Sequence, residues 1–232
     1  MNKYINKISF LKKSNANLKV IFSLTKTKIV NFILKKKIKN FKNNNKNYLK
    51  SKKIIHDYFS PHTYHFYSVL KKKSKIENIL EIGSFEGNSS MFFARNLKNS
   101  KIYCVDNWEG TNEYNNLDFK LLENNFDENL RGFTNVYKNK CSSDEFFLNN
   151  NLYFDLIYID GHHKADQVIK DFKNSWKFLN KDGILIFDDY IWEFYKNIKD
   201  NPCYAINSYL NQLSNNYKIL KVTNSQLFIK KI

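Results

Sequence analysis

The chain has 232 residues, of which 42% are hydrophobic, and a formal net charge of +16. This length suits one domain with an extension, and the hydrophobic content is sufficient for a packed core. Residues 1–75 contain 20 Lys and a single acid, Asp57, whereas residues 76–232 have a net charge of −3. The basic character therefore belongs to the N-terminal third and is weak evidence for a nucleic-acid partner.

Cysteine usage and hydropathy exclude several classes of protein. Cys104, Cys141 and Cys203 form no Cys-x-x-Cys pair, which argues against a disulfide or zinc framework and for a reducing, cytoplasmic compartment. No uninterrupted run of about 18 apolar residues is present, so a membrane-spanning helix is not expected. The N-terminus also lacks the apolar stretch and cleavage site of a secretory signal.

Residues 1–53 form a basic, Lys- and Asn-rich extension, and we place a domain boundary between residues 53 and 54. Apolar residues recur within it at helical spacing, with Lys between them: Leu18, Ile21, Phe22, Ile29, Phe32 and Ile33. One interpretation is a basic amphipathic helix over residues 18–34 that lies on a membrane or an acidic partner. The interpretation we favour is a helix packed on the domain, followed by a solvated linker; residues 41–47 are nearly low in complexity.

Residues 54–232 have the pattern of an α/β domain, because from residue 76 short apolar strands alternate with helices. The predicted strands are 79–82, 101–106, 135–138, 154–160, 183–189, 217–222 and 226–230. The predicted helices are 88–98, 117–130, 165–179 and 204–213. This alternation predicts a Rossmann-like, doubly wound, mostly parallel seven-stranded sheet, in which the terminal hairpin supplies one antiparallel strand.

A glycine turn follows the first predicted strand, with the spacing Glu81-x-Gly83-x-x-x-Gly87. The glycines allow a sharp turn and a close approach of the backbone to a ligand, and the following helix start suits a nucleotide-like group. The spacing differs from the Gly-x-Gly-x-x-Gly of dinucleotide enzymes, which weighs against a nicotinamide cofactor. Asp106 ends the second strand, where an acid can accept hydrogen bonds from ribose hydroxyls.

Three further acids lie at predicted strand ends. Asp160 ends the fourth strand, and Asp188 and Asp189 end the fifth. Neighbouring strands would bring these carboxylates to one edge of the sheet, where they would repel one another and raise one another's pKa. A divalent cation would remove that conflict, and an all-oxygen ligand set suits Mg²⁺.

These residues also carry a family resemblance. The segment Glu81-Ile82-Gly83-Ser84-Phe85-Glu86-Gly87-Asn88-Ser89 resembles the first motif of class I S-adenosylmethionine-dependent methyltransferases. The order and spacing of several pieces resemble the small-molecule and sugar O-methyltransferase branch (methyltransferase family 24): residues 59–62, 105–110, 126–129, 158–163 and 186–190. The likeness runs from about residue 57 to the C-terminus, and residues 1–53 lie outside it.

The resemblance implies roles for individual residues. The implied cofactor-binding set is Glu81, Gly83, Ser84, Gly87, Ser89, Asp106, Ser142 and Ser143, with the glycine turn on the methionine end, Asp106 on the ribose and the two serines near the adenine. Asp160, Asp188 and Asp189 correspond to the Mg²⁺ ligands of metal-dependent O-methyltransferases. His163 matches the general base of a sugar-acting relative, and Asp160 is grouped with it as catalytic.

The sequence therefore predicts an S-adenosylmethionine-dependent, Mg²⁺-assisted O-methyltransferase with a sugar or another small hydroxylated metabolite as its acceptor. One alternative is an RNA methyltransferase that holds phosphates with the basic extension, although the near-neutral charge of residues 76–232 counts against it. Another is a non-catalytic cofactor-binding or membrane-surface protein attached through residues 18–34. The sequence indicates neither the acceptor nor the oligomeric state.

Overall fold

The computed structural model describes residues 2–110 and 116–232, with side chains from Tyr4 onward. The chain divides into two compact units. The terminal unit comprises the residues up to Phe32 together with Leu152–Ile232, and the central unit comprises Ile33–Asn151. The domain boundary predicted between residues 53 and 54 stays a prediction.

Seven strands form the sheet, in the order β3-β2-β1-β4-β5-β7-β6. The strands are β1 (Asn78–Ile82), β2 (Lys101–Asp106), β3 (Val136–Lys140), β4 (Phe154–Ile159), β5 (Leu179–Phe187), β6 (Tyr217–Val222) and β7 (Leu227–Lys231). β1 and β3 pair with β2 in parallel and β4 pairs with β5 in parallel, whereas β7 is antiparallel to both β5 and β6. The predicted fold class is therefore confirmed.

Helices connect the strands and extend the N-terminus. They are α1 (Asn2–Lys13), α2 (Leu18–Ile33), α3 (Lys35–Leu49), α4 (Thr63–Leu70), α5 (Asn88–Asn96), α6 (Phe119–Leu130), α7 (Ser143–Asn149), α8 (Ala165–Phe178) and α9 (Pro202–Gln212). Within residues 2–110 and 116–232, no helix combines the length and the apolar character needed to cross a membrane.

The strands with the longest apolar runs are also the most buried. Leu156, Ile157 and Tyr158 in β4 have no exposed surface, and neither do Leu185 and Ile186 in β5. Strands covered on both faces consist of nearly continuous apolar residues, which explains why such runs identified them in the sequence. Asp160 follows directly after β4 and Asp188 directly after β5, so the acidic side chains come immediately after buried backbone.

The solvated linker expected after the helix of residues 18–34 was wrong, because a further helix, α3, follows α2 there. Residues 41–47 lie inside α3, although their Asn content disfavours a helix. Tertiary contacts within the central unit explain the difference. The ring of Phe41 lies 4.7 Å from that of Tyr67, and the buried Asn45 amide donates a hydrogen bond of 2.9 Å to Ser60 Oγ.

Candidate functional site

The glycine turn joins β1 to α5 in the central unit. Gly83 and Gly87 have φ angles of 85° and 81°, which side chains with a Cβ rarely adopt. A Cβ on Gly87 would also lie 3.1 Å from side-chain atoms of Leu130 and of Phe126. Gly87 is the N-cap residue of α5 and provides no side-chain cap, so the first amides of that helix are available for a polar ligand group.

Asp106 binds the backbone of this turn. Its Oδ2 accepts hydrogen bonds from the amides of Ser84 (3.0 Å) and Phe85 (2.9 Å), and its Oδ1 accepts one from the amide of Trp108 (2.8 Å). Burial raises the pKa of Asp106, and these three N–H donors act in the opposite direction. A carboxylate has about four lone-pair sites, so one remains for a ligand hydroxyl. The ribose contact stays a prediction.

Glu81 lies beneath the turn and is fully buried. Its Oε2 accepts hydrogen bonds from the hydroxyls of Ser84 (2.9 Å) and Ser90. Burial raises the pKa of Glu81, whereas the hydroxyls of Ser89, Ser90 and Ser84 lower it. These contacts show that Glu81 supports the turn from below, and direct contact of Glu81, Ser84 and Ser89 with a cofactor stays a prediction.

Glu86 is a residue of the turn whose role the sequence reasoning missed. It is buried, and its two carboxylate oxygens accept hydrogen bonds from the amides of Ile55 (3.0 Å) and His56 (2.9 Å). The Asn125 amide group donates to the same carboxylate at 2.9 Å. Glu86 thereby fixes the segment before α4 against the turn. The sequence signal that could have revealed this role is an acidic residue within an otherwise small and apolar turn, because a buried carboxylate needs hydrogen-bond donors.

Three aromatic rings lie together at the turn: those of His56 and Tyr58 from the segment before α4, and that of Phe85 from the turn itself. The ring centroid of His56 lies 5.8 Å from that of Tyr58 and 5.7 Å from that of Phe85. Trp108 Nε1 donates a hydrogen bond of 2.8 Å to the backbone carbonyl of Phe85, and this bond helps to fix the position of the Phe85 ring. Planar ligand groups stack on such side chains, so this aromatic cluster suits a ligand held beside the turn.

Ser142 and Ser143, predicted near the adenine, begin α7. Ser142 forms a capping box with Glu145: its hydroxyl lies 3.2 Å from the Glu145 amide and 2.9 Å from the Glu145 carboxylate. This hydroxyl is therefore committed to the helix start. Ser143 is the first residue of the helix, and contact of either serine with a cofactor stays a prediction.

The second group of site residues lies in the terminal unit. One ligand atom from each of Asp160, His163 and Asp189 lies within 4.8 Å of the other two. His163 is buried, and its Nε2 lies 3.2 Å from Asp189 Oδ2. Two carboxylates and an imidazole at these distances form a set that could hold a divalent cation.

Asp188 has other partners. Its Oδ1 accepts hydrogen bonds from the amide of Asp189 (2.9 Å), from Gln226 Nε2 (2.8 Å) and from the hydroxyl of Ser225 (3.2 Å). These bonds attach the end of β5 to the turn between β6 and β7. The structure thus brings Asp160 and Asp189 together with His163, and it bonds Asp188 to Gln226 and to Ser225, whose hydroxyl also lies 3.3 Å from Asp189 Oδ1. The role of Asp188 as a metal ligand stays a prediction.

The hydroxyl of Tyr158 lies between two of the acids, 2.8 Å from Asp160 Oδ2 and also against Asp188 Oδ2. A hydroxyl carries one proton, so Tyr158 donates to only one carboxylate at a time. Burial raises the pKa of Asp160 well above its usual value, and the charges of Asp188 and Asp189 raise it further. A raised pKa favours the protonated form of Asp160, which would remove this repulsion.

Strained backbone occurs in both groups of residues. Phe85 and Trp108 near the glycine turn have φ angles of 50°, and Asp189 in the acidic cluster has a φ of 45°. Non-glycine residues in this region cost about 1–3 kcal/mol each and persist where their surroundings hold them. Sequence patterns gave no indication of these three conformations.

The chain matches a known family over the region that contains both groups. Residues 80–190 match a family model described as a methyltransferase domain. The match begins in β1, immediately before the glycine turn, and ends just after Asp188 and Asp189. It confirms the predicted resemblance to class I S-adenosylmethionine-dependent methyltransferases.

Among individual proteins, an uncharacterized protein of Acanthamoeba polyphaga mimivirus is 32% identical over 117 residues, which are 48% of this chain and 50% of the viral protein. The fold resembles that of a Staphylococcus aureus protein provisionally named a caffeoyl-CoA O-methyltransferase, with a TM-score of 0.58, 16% identity, and coverage of 90% of this chain and 100% of that one. It also resembles TomG of Streptomyces achromogenes, an O-methyltransferase of tomaymycin synthesis solved in complex with SAM. That comparison has a TM-score of 0.54, 12% identity, and coverage of 84% of this chain and 97% of TomG.

Proposed function

We propose that the chain is an S-adenosylmethionine-dependent methyltransferase that methylates a hydroxyl group of a sugar or another small hydroxylated metabolite, assisted by a divalent cation such as Mg²⁺. The observation that carries this proposal is the grouping of Asp160, His163 and Asp189 within 4.8 Å. The methyltransferase family match over residues 80–190 supports the methyl donor. We further propose a cytoplasmic location, which the free thiols of Cys104, Cys141 and Cys203 suit.

The central unit would hold the methyl donor. The glycine turn offers the uncapped first amides of α5, and Asp106 has one lone-pair site left after its three backbone hydrogen bonds. Glu86 keeps the aromatic segment of His56 and Tyr58 beside the turn. These residues would bind and orient the methyl donor, and none of them would gain or lose a proton during methyl transfer.

The acids of the terminal unit fit a divalent cation. Burial and two neighbouring carboxylates raise the pKa of Asp160, so a positive charge placed between Asp160 and Asp189 would remove an existing repulsion. When bound, S-adenosylmethionine supplies an electrophilic methyl group, and the cation supplies positive charge that favours ionisation of an acceptor hydroxyl.

His163 would take the proton of the acceptor hydroxyl as the methyl–oxygen bond forms. Its Nε2 lies 3.2 Å from Asp189 Oδ2, so that carboxylate can orient the ring and stabilise the protonated imidazole. The same nitrogen could instead bind the cation, and an imidazole ligand favours a transition metal over Mg²⁺. Comparing Mg²⁺ with Mn²⁺ in wild type and His163→Ala separates the two roles.

Aromatic rings next to the acids support a ring-shaped acceptor. The ring of His163 lies 4.7 Å, edge-on, from that of Trp192, and Trp192 stacks on Phe194 with centroids 4.8 Å apart and an interplanar angle of 11°. Phe194 is exposed. A sugar has one face of C–H groups, which suits the electron-rich face of such rings, while its hydroxyls can reach the acids.

The test is transfer of a labelled methyl group from S-adenosylmethionine to a panel of sugars, glycan extracts, hydroxylated metabolites and RNA. We expect label on hydroxylated small molecules, a loss of transfer in the presence of a chelator, and at least about a hundredfold loss in Asp160→Asn. Asp182→Asn is the matched control, since Asp182 is an exposed acid elsewhere in the terminal unit.

Transfer that ignores the chelator would contradict the role of the cation. Label found on RNA alone would contradict the proposed acceptor. A folded protein that transfers no label to any of these acceptors and does not bind S-adenosylmethionine would contradict the activity itself.

A further inference from the structure

The outward face of α2 is apolar and exposed. Leu18, Phe22, Ile29 and Phe32 have exposed fractions of 79%, 72%, 59% and 84%. Their spacing of four, seven and three residues places all four side chains on one side of the helix. Burying large apolar side chains is favourable, so an exposed row of this kind on a folded helix indicates a surface that another body covers. We call these four residues the α2 stripe.

The opposite side of α2 is already packed. Val20 and Leu24 are fully buried, and Thr27 is buried as well. Side-chain hydrogen bonds fix the start of the helix within the terminal unit, from Asn17 to the Tyr217 hydroxyl (3.0 Å) and from Asn207 to the Ser14 carbonyl (2.9 Å). The helix therefore has two apolar sides, and internal packing accounts for only one of them.

A groove of about 660 Å³ continues the α2 stripe. Leu18 and Phe22 form one wall, and Tyr217, Ile219 and Ile232 contribute the other. All of these residues belong to the terminal unit, so the stripe and the groove form one continuous apolar surface.

Positive charge surrounds this surface. Lys19, Lys26 and Lys218 line the groove beside the apolar side chains. Residues 1–56 contain no Asp or Glu, so no acid on the N-terminal helices offsets these lysines. The groove is lined by these lysines and by neutral residues, with no Asp or Glu side chain among them, and this charge pattern complements anionic lipid headgroups above an acyl layer.

We propose that the α2 stripe and its groove dock the protein on the surface of an anionic membrane. The apolar side chains enter the boundary between headgroups and acyl chains, and Lys19, Lys26 and Lys218 lie at the level of the headgroup phosphates. A second copy of the chain fits less well because it would bring two lysine-bordered surfaces together. RNA would pair with the lysines and leave the aliphatic side chains in water.

Sedimentation of the full chain with lipid vesicles tests this proposal. We expect binding to vesicles of equimolar phosphatidylcholine and phosphatidylserine, weaker binding in high salt, and little binding to phosphatidylcholine alone. The double variant Leu18→Ser/Phe22→Ser should bind at least about tenfold more weakly, because it removes apolar surface from the centre of the stripe. Lys19→Gln and Lys26→Gln should each weaken binding about fivefold.

Leu148→Ser is the matched control. Leu148 is 84% exposed, as the stripe residues are, but it lies on α7 in the central unit. This variant should bind vesicles like the wild type, and all variants should keep the wild-type melting temperature and methyl transfer to dissolved acceptors. These readouts separate membrane docking from the proposed catalytic function.

Three results would overturn the proposal. The first is a wild-type chain that stays in the supernatant with the anionic vesicles. The second is a Leu148→Ser variant that loses as much binding as Leu18→Ser/Phe22→Ser. The third is a stable dimer in solution that Leu18→Ser/Phe22→Ser dissociates, because the stripe would then be an interface between two copies.

Discussion

Asp106 in the central unit and Asp160 in the terminal unit are both carboxylates at or just beyond the end of a parallel strand, yet their partners differ. Asp106 accepts hydrogen bonds from three backbone amides. Asp160 has the Tyr158 hydroxyl, which it shares with Asp188, and the repulsion of two further acids. Burial raises the pKa of both groups, but backbone donors oppose the rise at Asp106 and neighbouring charges enlarge it at Asp160.

This difference indicates how each group of residues meets its ligand. The glycine turn is held in place by donors from the chain itself, so it is formed before any ligand arrives. The acidic cluster keeps an electrostatic conflict that a cation or a proton must resolve. Substitutions in the turn should therefore cost stability, whereas neutralising an acid in the cluster should increase stability and remove function.

The largest effect is expected for Gly87→Ala. A Cβ at a φ of 81° costs about 1–2 kcal/mol, and crowding against Leu130 and Phe126 at 3.1 Å adds about 1–3 kcal/mol. Denaturant unfolding should show the summed loss, and calorimetry should show weaker binding of S-adenosylhomocysteine.

Gly132→Ala is the control for this prediction. Gly132 has a φ of 94°, but a Cβ there would meet nothing within 4 Å. It should therefore show only the conformational cost, with unchanged ligand binding. Equal losses in the two variants would mean that the packing around Gly87 does not define the turn.

Glu86→Gln should have the next largest effect. The carboxylate accepts from the Ile55 and His56 amides and from Asn125, and the amide nitrogen of Gln cannot accept any of these bonds. We expect a loss of about 1.5–3 kcal/mol in the free energy of unfolding, with faster hydrogen exchange at residues 55 and 56.

Glu128→Gln provides the comparison for Glu86→Gln, because Glu128 forms an exposed ion pair with Lys53. Its replacement should leave the unfolding transition where it is. Slow exchange at residues 55 and 56 in Glu86→Gln would show that the segment before α4 does not depend on this carboxylate.

Asp160→Asn should have a smaller effect, in the opposite direction. Without added cations the variant should melt at a higher temperature than the wild type at neutral pH, because Asn removes the free-energy cost of either holding a proton on Asp160 or placing its charge beside Asp188 and Asp189. Mg²⁺ or Mn²⁺ should raise the melting temperature of the wild type and of Asp182→Asn but not that of Asp160→Asn. A cation response retained in Asp160→Asn would place the cation elsewhere.

The pH dependence follows from the raised pKa of Asp160. Above the unfolded value of about 3.9, the native state still binds this proton while the unfolded chain has lost it, so stability falls as the pH rises through that window. The difference in melting temperature between Asp160→Asn and wild type should grow with pH until Asp160 is fully ionised. A difference that is constant with pH would mean that Asp160 titrates normally.

The sequence predicted most of the fold because the buried strands are recognisable as apolar runs. The candidate site residues were recognisable because polar residues occur at or just after the ends of the parallel strands. Glu81, Asp106, Asp160 and Asp188 were found in this way. The sequence did not predict α3, because a stretch dominated by Asn and Lys shows little apolar periodicity. The helix depends instead on contacts with residues elsewhere in the chain, such as that between Asn45 and Ser60. Local pattern carries no information about such distant partners.

The same limit applies within the candidate site. Asp188 and Asp189 are adjacent in sequence and looked equivalent, yet Asp188 bonds to Ser225 and Gln226 nearly forty residues later. Asp189, with a φ of 45°, shares the Ser225 hydroxyl through Oδ1 (3.3 Å) but directs Oδ2 towards His163. The presence of two acids at this position was predictable from the sequence. Which side chains each acid contacts depends on backbone conformation and on the turn after β6.

The most direct test of the proposed methyl-donor site is calorimetric titration of the folded chain with S-adenosylhomocysteine, in parallel for wild type, Gly87→Ala and Gly132→Ala. We expect a single site per chain in the wild type, an affinity reduced at least about tenfold in Gly87→Ala, and wild-type affinity in Gly132→Ala. A folded wild-type chain that releases no heat and shows no shift in melting temperature with this ligand would contradict the proposed site.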